Sequence, residues 1–143
     1  MALDLYEPAL ALAFGVVVDG VKLGRFTGVS GLQGEYEVLE WKEGGNNDYT
    51  QRMPGRRSFT NVKLTRALDV DSRVLASWFS DFGKQRRRGT AAITAYDGNG
   101  AKVAMWTLVG VWPVRYTGPT LSSLGTTAAI ETIEIAHNGF VLS

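Results

Sequence analysis

Apolar and polar positions alternate strand-fashion along most of this chain and switch once to a helical period. Ala13–Asp19 is β-branched and apolar, and Asp19–Gly20 is a hairpin signal, because both central positions of that turn need positive φ. Val21–Ser30 returns as a second strand, interrupted by Gly24 and Gly28. Gly31 and Gly34 bracket Leu32 and mark a bend or bulge where backbone approaches backbone. Gln33–Trp41 is a third strand of imperfect alternation, with Glu35, Glu37 and Glu40 not all on one face. Ser58–Arg66 reads as a fourth strand. The period then changes: Val70, Val74, Leu75, Trp78, Phe79 and Phe82 recur at three-to-five-residue spacing and predict an amphipathic helix over about 70–82. Asp69 or Asp71 can cap its start, Gly83 sits where a left-handed residue would end it, and Lys84 follows in favourable dipole position. Thr90–Tyr96, the turn Asp97–Gly98–Asn99–Gly100 and Ala101–Val109 form a second hairpin. Val111–Tyr116 is a further strand, where Pro113 argues for an edge or a kink. Thr127–Ala136 alternates well, with Glu131, Ile133 and Ile135 on one side. The sum is seven or eight strands and one helix: a small two-sheet β-sandwich or barrel with a flanking helix.

One stretch does not fit this pattern. Between Lys42 and Arg57 lie sixteen residues with three glycines, two asparagines and a proline, and almost nothing apolar. Unstructured connections beyond about 12–15 residues are uncommon in compact domains and are usually functional or disordered. Such a loop adds little to a core, so its order is expected to come from outside the subunit. Exposed strand edges with few blocking lysines point the same way, toward pairing with further copies of the chain.

Composition narrows the chemistry. At 143 residues there is room for one domain, 1–143, with a core of its own. Fifteen basic and fourteen acidic residues leave a net charge of +1, which implies no polyanionic partner by bulk electrostatics. With no cysteine and a single histidine, His137, thiol chemistry and ordinary zinc sites are excluded, and cysteine absence fits synthesis in a reducing cytoplasm. The apolar run Ala9–Val18 lacks a basic flank and a cleavage site. It is too short to span a bilayer, so neither a signal peptide nor membrane insertion is expected. Ser30 lies in GVSGL, which is not the G-x-S-x-G nucleophile elbow, and Gly44–Gly45 is not a phosphate loop. No catalytic residue, cofactor or metal is expected. The basic group Lys84, Arg86, Arg87 and Arg88 has no interleaved aromatic residues for base stacking and reads as a surface or subunit contact. A small nucleic-acid-binding β-barrel using these arginines is the alternative from a different class.

Several segments, taken in order, resemble the tube proteins of contractile phage tails and extracellular contractile injection systems. They are Phe26–Leu32 (FTGVSGL), Trp41–Asn46 (WKEGGN), Met53–Arg56 (MPGR), Val62–Arg66 (VKLTR), the helix with Trp78, Trp112–Pro113, Gly118–Pro119 and Ala129–His137 (AIETIEIAH). The resemblance runs from about Ala9 to Phe140. It implies a two-sheet barrel, shared with the type VI secretion tube protein, in which six subunits form a ring and rings stack into a tube. A contractile sheath would surround that tube, baseplate, spike and tube-terminating proteins would flank it, and protein or DNA cargo would occupy its channel. The particle would assemble in the bacterial cytoplasm and act there or after release. A tube-initiating ring at the baseplate is the near alternative. Carried over residue by residue, Glu43, Gly44, Gly45, Asn46, Asn47, Tyr49, Met53, Pro54, Gly55 and Arg56 would reach a neighbouring subunit or ring. Lys84, Arg86, Arg87 and Arg88 would face the sheath or another subunit. A polar channel wall is hinted at by Glu35, Glu37 and Lys102.

Overall fold

The computed structural model describes residues 10, 11, 13–42, 44, 45, 50–121, 123–125 and 129–143. Among these described residues ten strands and one helix follow in order: β1 (Ala13–Val18), β2 (Val21–Phe26), β3 (Gly28–Ser30), β4 (Gly34–Trp41), β5 (Gln51–Phe59), β6 (Val62–Ala67), α1 (Ser72–Gln85), β7 (Gly89–Tyr96), β8 (Lys102–Thr117), β9 (Ile130–Ala136) and β10 (Phe140–Leu142). Among the described residues no helix is long and apolar enough to cross a membrane.

Eight strands form one continuous antiparallel sheet in the order β2-β1-β7-β8-β9-β6-β3, with β10 added beside β8. The sheet folds over on itself because β8 is long enough to serve two halves. Its first half pairs with β7 and β10, its second with β9. The other side closes through β2 and β3, which are nearly continuous. β2 pairs with β1, β3 pairs with β6, and between them Thr27 N donates to Thr65 O (2.9 Å). Closure leaves the inward positions of both halves facing each other, and Val16, Val18, Leu23, Phe26, Val62, Leu64, Ala91, Ile93, Leu108, Val111, Ile133 and Ile135 fill the interior. Burial of this kind contributes about 1.5–3 kcal/mol per large side chain. The expected two-sheet barrel with one flanking helix is what forms.

The turns behave as their sequences demand. Asp19 and Gly20 both have positive φ (49° and 81°), and Asp97 Oδ1 accepts from the N–H groups of Asn99 and Ala101, both at 2.9 Å. Gly31 also has positive φ (89°), and a Cβ there would collide with the carbonyl of Asn61, so the bend before β4 is a close approach of backbones.

Four expectations are corrected. The segment from Lys42 to Arg57 is not loop throughout: residues from Gln51 on belong to β5, which pairs antiparallel with β4. Pro54 hid this strand, yet β5 belongs to a sheet of two strands only, where one side of the strand needs no donor. The strand read as Ser58–Arg66 breaks at Thr60–Asn61 into β5 and β6. The strands read as Ala101–Val109 and Val111–Tyr116 are one, β8, and Pro113 is absorbed by a register shift between Pro113 and Arg115. The helix runs Ser72–Gln85 rather than about 70–82. Gly83 lies within it, and the left-handed residue at its end is Arg86 (φ 51°), whose N–H returns to Phe82 O. Asp71 occupies the N-cap without a side-chain bond; instead Asp69 N donates to Ser72 Oγ (3.1 Å).

Candidate functional site

A group of exposed apolar side chains lies together on β4 and β5. Every residue of β4 is exposed, and Tyr36 (61%), Trp41 (54%), Val38 (51%), Leu39 (43%) and Met53 (42%) present large side chains to solvent. A monomer gains nothing from this arrangement, because a two-stranded ribbon is marginal in water without a packed face. The register opposes Tyr36 to Arg57, Val38 to Pro54, Leu39 to Met53, Glu40 to Arg52 and Trp41 to Gln51, with a bulge opposite Glu37. Cross-strand neighbours share a face. One face therefore carries Glu35, Glu37, Leu39, Trp41 and Met53, and the other carries Tyr36, Val38, Glu40, Arg52, Pro54 and Arg57.

The root of this arm is held firmly. Thr60 N donates to Gln33 O (3.2 Å) and Thr60 Oγ1 to Gly31 O (2.8 Å), which ties both strands to the barrel. Phe59 packs against His137 (5.5 Å between ring centroids) and Phe140 (5.6 Å). His137 is a structural residue. Gly139 N–H donates to its Nδ1 (3.1 Å), and its Nε2 lies in hydrogen-bond contact with Thr60 O (3.0 Å). Ser30 is the last residue of β3, opposite Lys63.

The helix is fixed to the barrel by its apolar face and by one carboxylate. Leu75 is fully buried, Val74 and Trp78 pack on the core, and Phe82 stacks on Trp112 at 6.2 Å. Glu131, fully buried on β9, receives Arg66 Nε from β6 (2.7 Å), Ser72 Oγ from the helix (2.7 Å) and Tyr116 Oη from β8 (2.8 Å). Arg66 Nη1 continues to Leu23 O on β2 (2.6 Å), and its guanidinium lies 4.5 Å over the Phe26 ring. Burial alone pushes the Glu131 carboxyl up, but the hydrogen bonds from Arg66, Ser72 and Tyr116, with the Arg66 charge, hold it below the usual carboxylate range. The Tyr116 phenol is pushed up by burial, by its bond to Glu131 and by that residue's charge. Sequence reasoning missed this cluster, although its signal was present: a glutamate on the same side as Ile133 and Ile135 requires a buried partner.

The proposed contact residues fall into separate places. Gly44 and Gly45 sit in the turn region between β4 and β5, and Met53, Pro54, Gly55 and Arg56 lie along β5, so they share the arm. Glu43, Asn46, Asn47 and Tyr49 lie outside the described residues. Lys84 ends the helix in an exposed pair with Asp81 (3.5 Å), and Arg86, Arg87 and Arg88 follow it, all exposed and apart from the arm. Glu35 and Glu37 stand on the arm, whereas Lys102 begins β8 opposite Tyr96 in the barrel sheet.

The fold and its projecting arm define a small β-barrel protein with an exposed, apolar-faced β-hairpin. Residues 10–141 match the model of the T4-like virus tail tube protein gp19 family, and the chain belongs to that family. Similar solved structures support the fold. A chain of an extracellular contractile injection system, PVC, in its sheath-tube complex in the extended state is 22% identical, with a TM-score of 0.82, covering 97% of this chain and 93% of that one. A chain of the anti-feeding prophage cap is 19% identical at a TM-score of 0.82, covering 100% and 95%. Hcp1 from Flavobacterium johnsoniae is 11% identical at a TM-score of 0.55, covering 91% and 94%. No curated protein sequence matches the chain.

Proposed function

We propose that this chain is the inner-tube subunit of a contractile injection particle or phage tail. Six copies close into a ring, rings stack into a hollow tube, and a contractile sheath drives that tube through a target envelope to deliver its cargo. Baseplate and spike proteins start the tube and a terminating protein ends it; assembly takes place in the bacterial cytoplasm. The role is structural, without catalysis. Family membership supports this reading, as does the likeness to chains from a sheath-tube complex and a tube-terminating cap.

The observation that carries it is the arm. A hairpin rooted rigidly by Thr60 and Phe59, yet exposing Tyr36, Trp41, Val38, Leu39 and Met53, becomes stable when a neighbouring copy covers it. Such a contact joins two different patches and so generates a ring when its rotation closes. Sedimentation velocity over a wide concentration series tests this. The expected result is a discrete ring-sized species that grows into longer assemblies, and a single monomer boundary at the highest concentration would contradict it.

A further inference from the structure

Two Asn–Gly pairs occur in the sequence, Asn99–Gly100 and Asn138–Gly139. In such a pair the backbone nitrogen of the glycine can attack Cγ of the asparagine side chain, because no Cβ obstructs the approach. The attacking N–H must lose its proton, and the reacting groups must be held together. The structure treats the pairs differently. Gly100 N–H donates to the carbonyl of Asp97 (3.1 Å), an oxygen that takes no proton at neutral pH. Gly139 N–H donates to Nδ1 of His137 (3.1 Å), an imidazole nitrogen that can, at the separation a general base requires. The peptide between Asn138 and Gly139 is also pinned to β8, because Asn138 N donates to Val109 O (2.8 Å) and Val109 N to Gly139 O (3.0 Å). Gly110 leaves room for the asparagine side chain: a Cβ there would stand 2.5 Å from Asn138 Nδ2. Gly139 is buried with φ +146°, whereas Asn138 is exposed, so water reaches the site and ammonia leaves freely.

We infer that Asn138 is a self-modification site, converted to aspartate or isoaspartate with Gly139 N as nucleophile and His137 Nδ1 as base. His137 takes the Gly139 proton, a bond forms between Gly139 N and Asn138 Cγ, and the bond from Cγ to Nδ2 breaks. The proton departs with Nδ2 as ammonia, leaving a succinimide and returning the imidazole to its starting state. Water then opens the ring at either carbonyl. An amide and a water are consumed, a carboxylic acid and an ammonia are released, and nothing is oxidised or reduced. The surroundings of the new carboxylate are defined as well. Asn138 lines a cavity of about 170 Å³ at the root of the arm, together with Arg57, Phe59 and Phe140. Arg57 is the charged residue of that lining. Its guanidinium lies over the Phe59 ring (5.2 Å), and among the described residues it has no ion-pair partner. Conversion therefore brings a negative charge into a cavity that already holds an unpaired cation.

Peptide mapping by mass spectrometry follows both pairs in the purified chain over time at neutral pH, folded and in guanidinium chloride. In denaturant the pairs are expected to convert at similar rates. In the folded chain Asn138 is expected to convert at least about tenfold faster than Asn99, a modest share of the 10²–10⁴-fold that a positioned base contributes. His137→Gln, checked for its fold by circular dichroism, is expected to bring Asn138 down to the rate of Asn99. Conversion of Asn138 no faster than Asn99 in the folded chain overturns the assignment, because Nδ1 then clamps the amide rather than deprotonating it. An excess that persists in denaturant overturns it too, since local sequence and not geometry is then the cause. The denaturant comparison needs no variant, so it is decisive even if His137→Gln fails to fold.

Discussion

At the scale of single residues, the buried cluster around Glu131 decides most. Glu131→Gln leaves Arg66 charged and half-satisfied in the interior, where its Nη2 already lacks a partner. Breaking a buried pair from one side costs about 3–5 kcal/mol, so urea denaturation is expected to show a loss of that order. Replacing both partners, as in Arg66→Met with Glu131→Leu, is expected to cost far less. The pair is also linked to pH. The folded carboxyl titrates below its ordinary value of about 4.5. Its stabilising contribution is therefore complete above that value and is lost as pH falls through the folded one. The stability gap between the parent chain and Glu131→Gln is expected to hold steady from pH 7 to 5 and to shrink below about pH 4. A gap unchanged at pH 3 would contradict the assignment. Gly24 belongs to the same cluster: it has φ +104°, and a Cβ there would lie 2.5 Å from Arg66 Nη1 and 2.8 Å from Asp71 Oδ2. Gly24→Ala is expected to destabilise by about 2 kcal/mol or more, read from the denaturation midpoint. The alternation of β9 already placed Glu131 beside Ile133 and Ile135. It could not show that Arg66 lies opposite, because that is set by the pairing of β6 with β9 across 65 residues of chain.

At the scale of elements, local signals served well where geometry is local and failed where pairing overrode them. The turns at Asp19–Gly20 and Asp97–Gly100 were legible because positive φ restricts residue choice. The helix was legible by period but not at its end. Gly83 was the better left-handed residue by propensity, yet Phe82 stacks on Trp112, and the helix runs on to Gln85. This makes a clean test. A Cβ at Gly83 meets nothing within 4 Å, so Gly83→Ala is expected to stabilise by up to about 1 kcal/mol in thermal or urea unfolding. Destabilisation would mean that Gly83 is the left-handed residue after all. Strand β5 was hidden for a different reason. A pattern with Pro54, Gly55 and three arginines resembles loop, and only the facing residues of β4 make it a strand. Strand β10, three residues long, has no period to detect; its place depends on pairing with β8.

At the scale of the whole molecule, the barrel is complete by itself and the arm is not. Its interior is closed through β8 on one side and through Thr27 on the other, so the barrel needs no partner to fold. The arm adds no core residue and spends five large apolar side chains on solvent. The ordered set of short segments made the family legible, whereas the separation of the arm from the barrel needed the strand register. Folding and assembly are therefore separable. Negative-stain electron microscopy of the purified chain, beside the Leu39→Ser, Trp41→Ser, Met53→Ser triple variant, tests this most directly, with circular dichroism and thermal unfolding run on both. The parent is expected to form rings and stacked tubes. The variant is expected to remain monomeric with the same spectrum and a melting temperature unchanged within a few degrees, since exposed positions away from the core shift stability by only about 0.5 kcal/mol each. Tubes from both proteins, or monomers from both at high concentration, would contradict it.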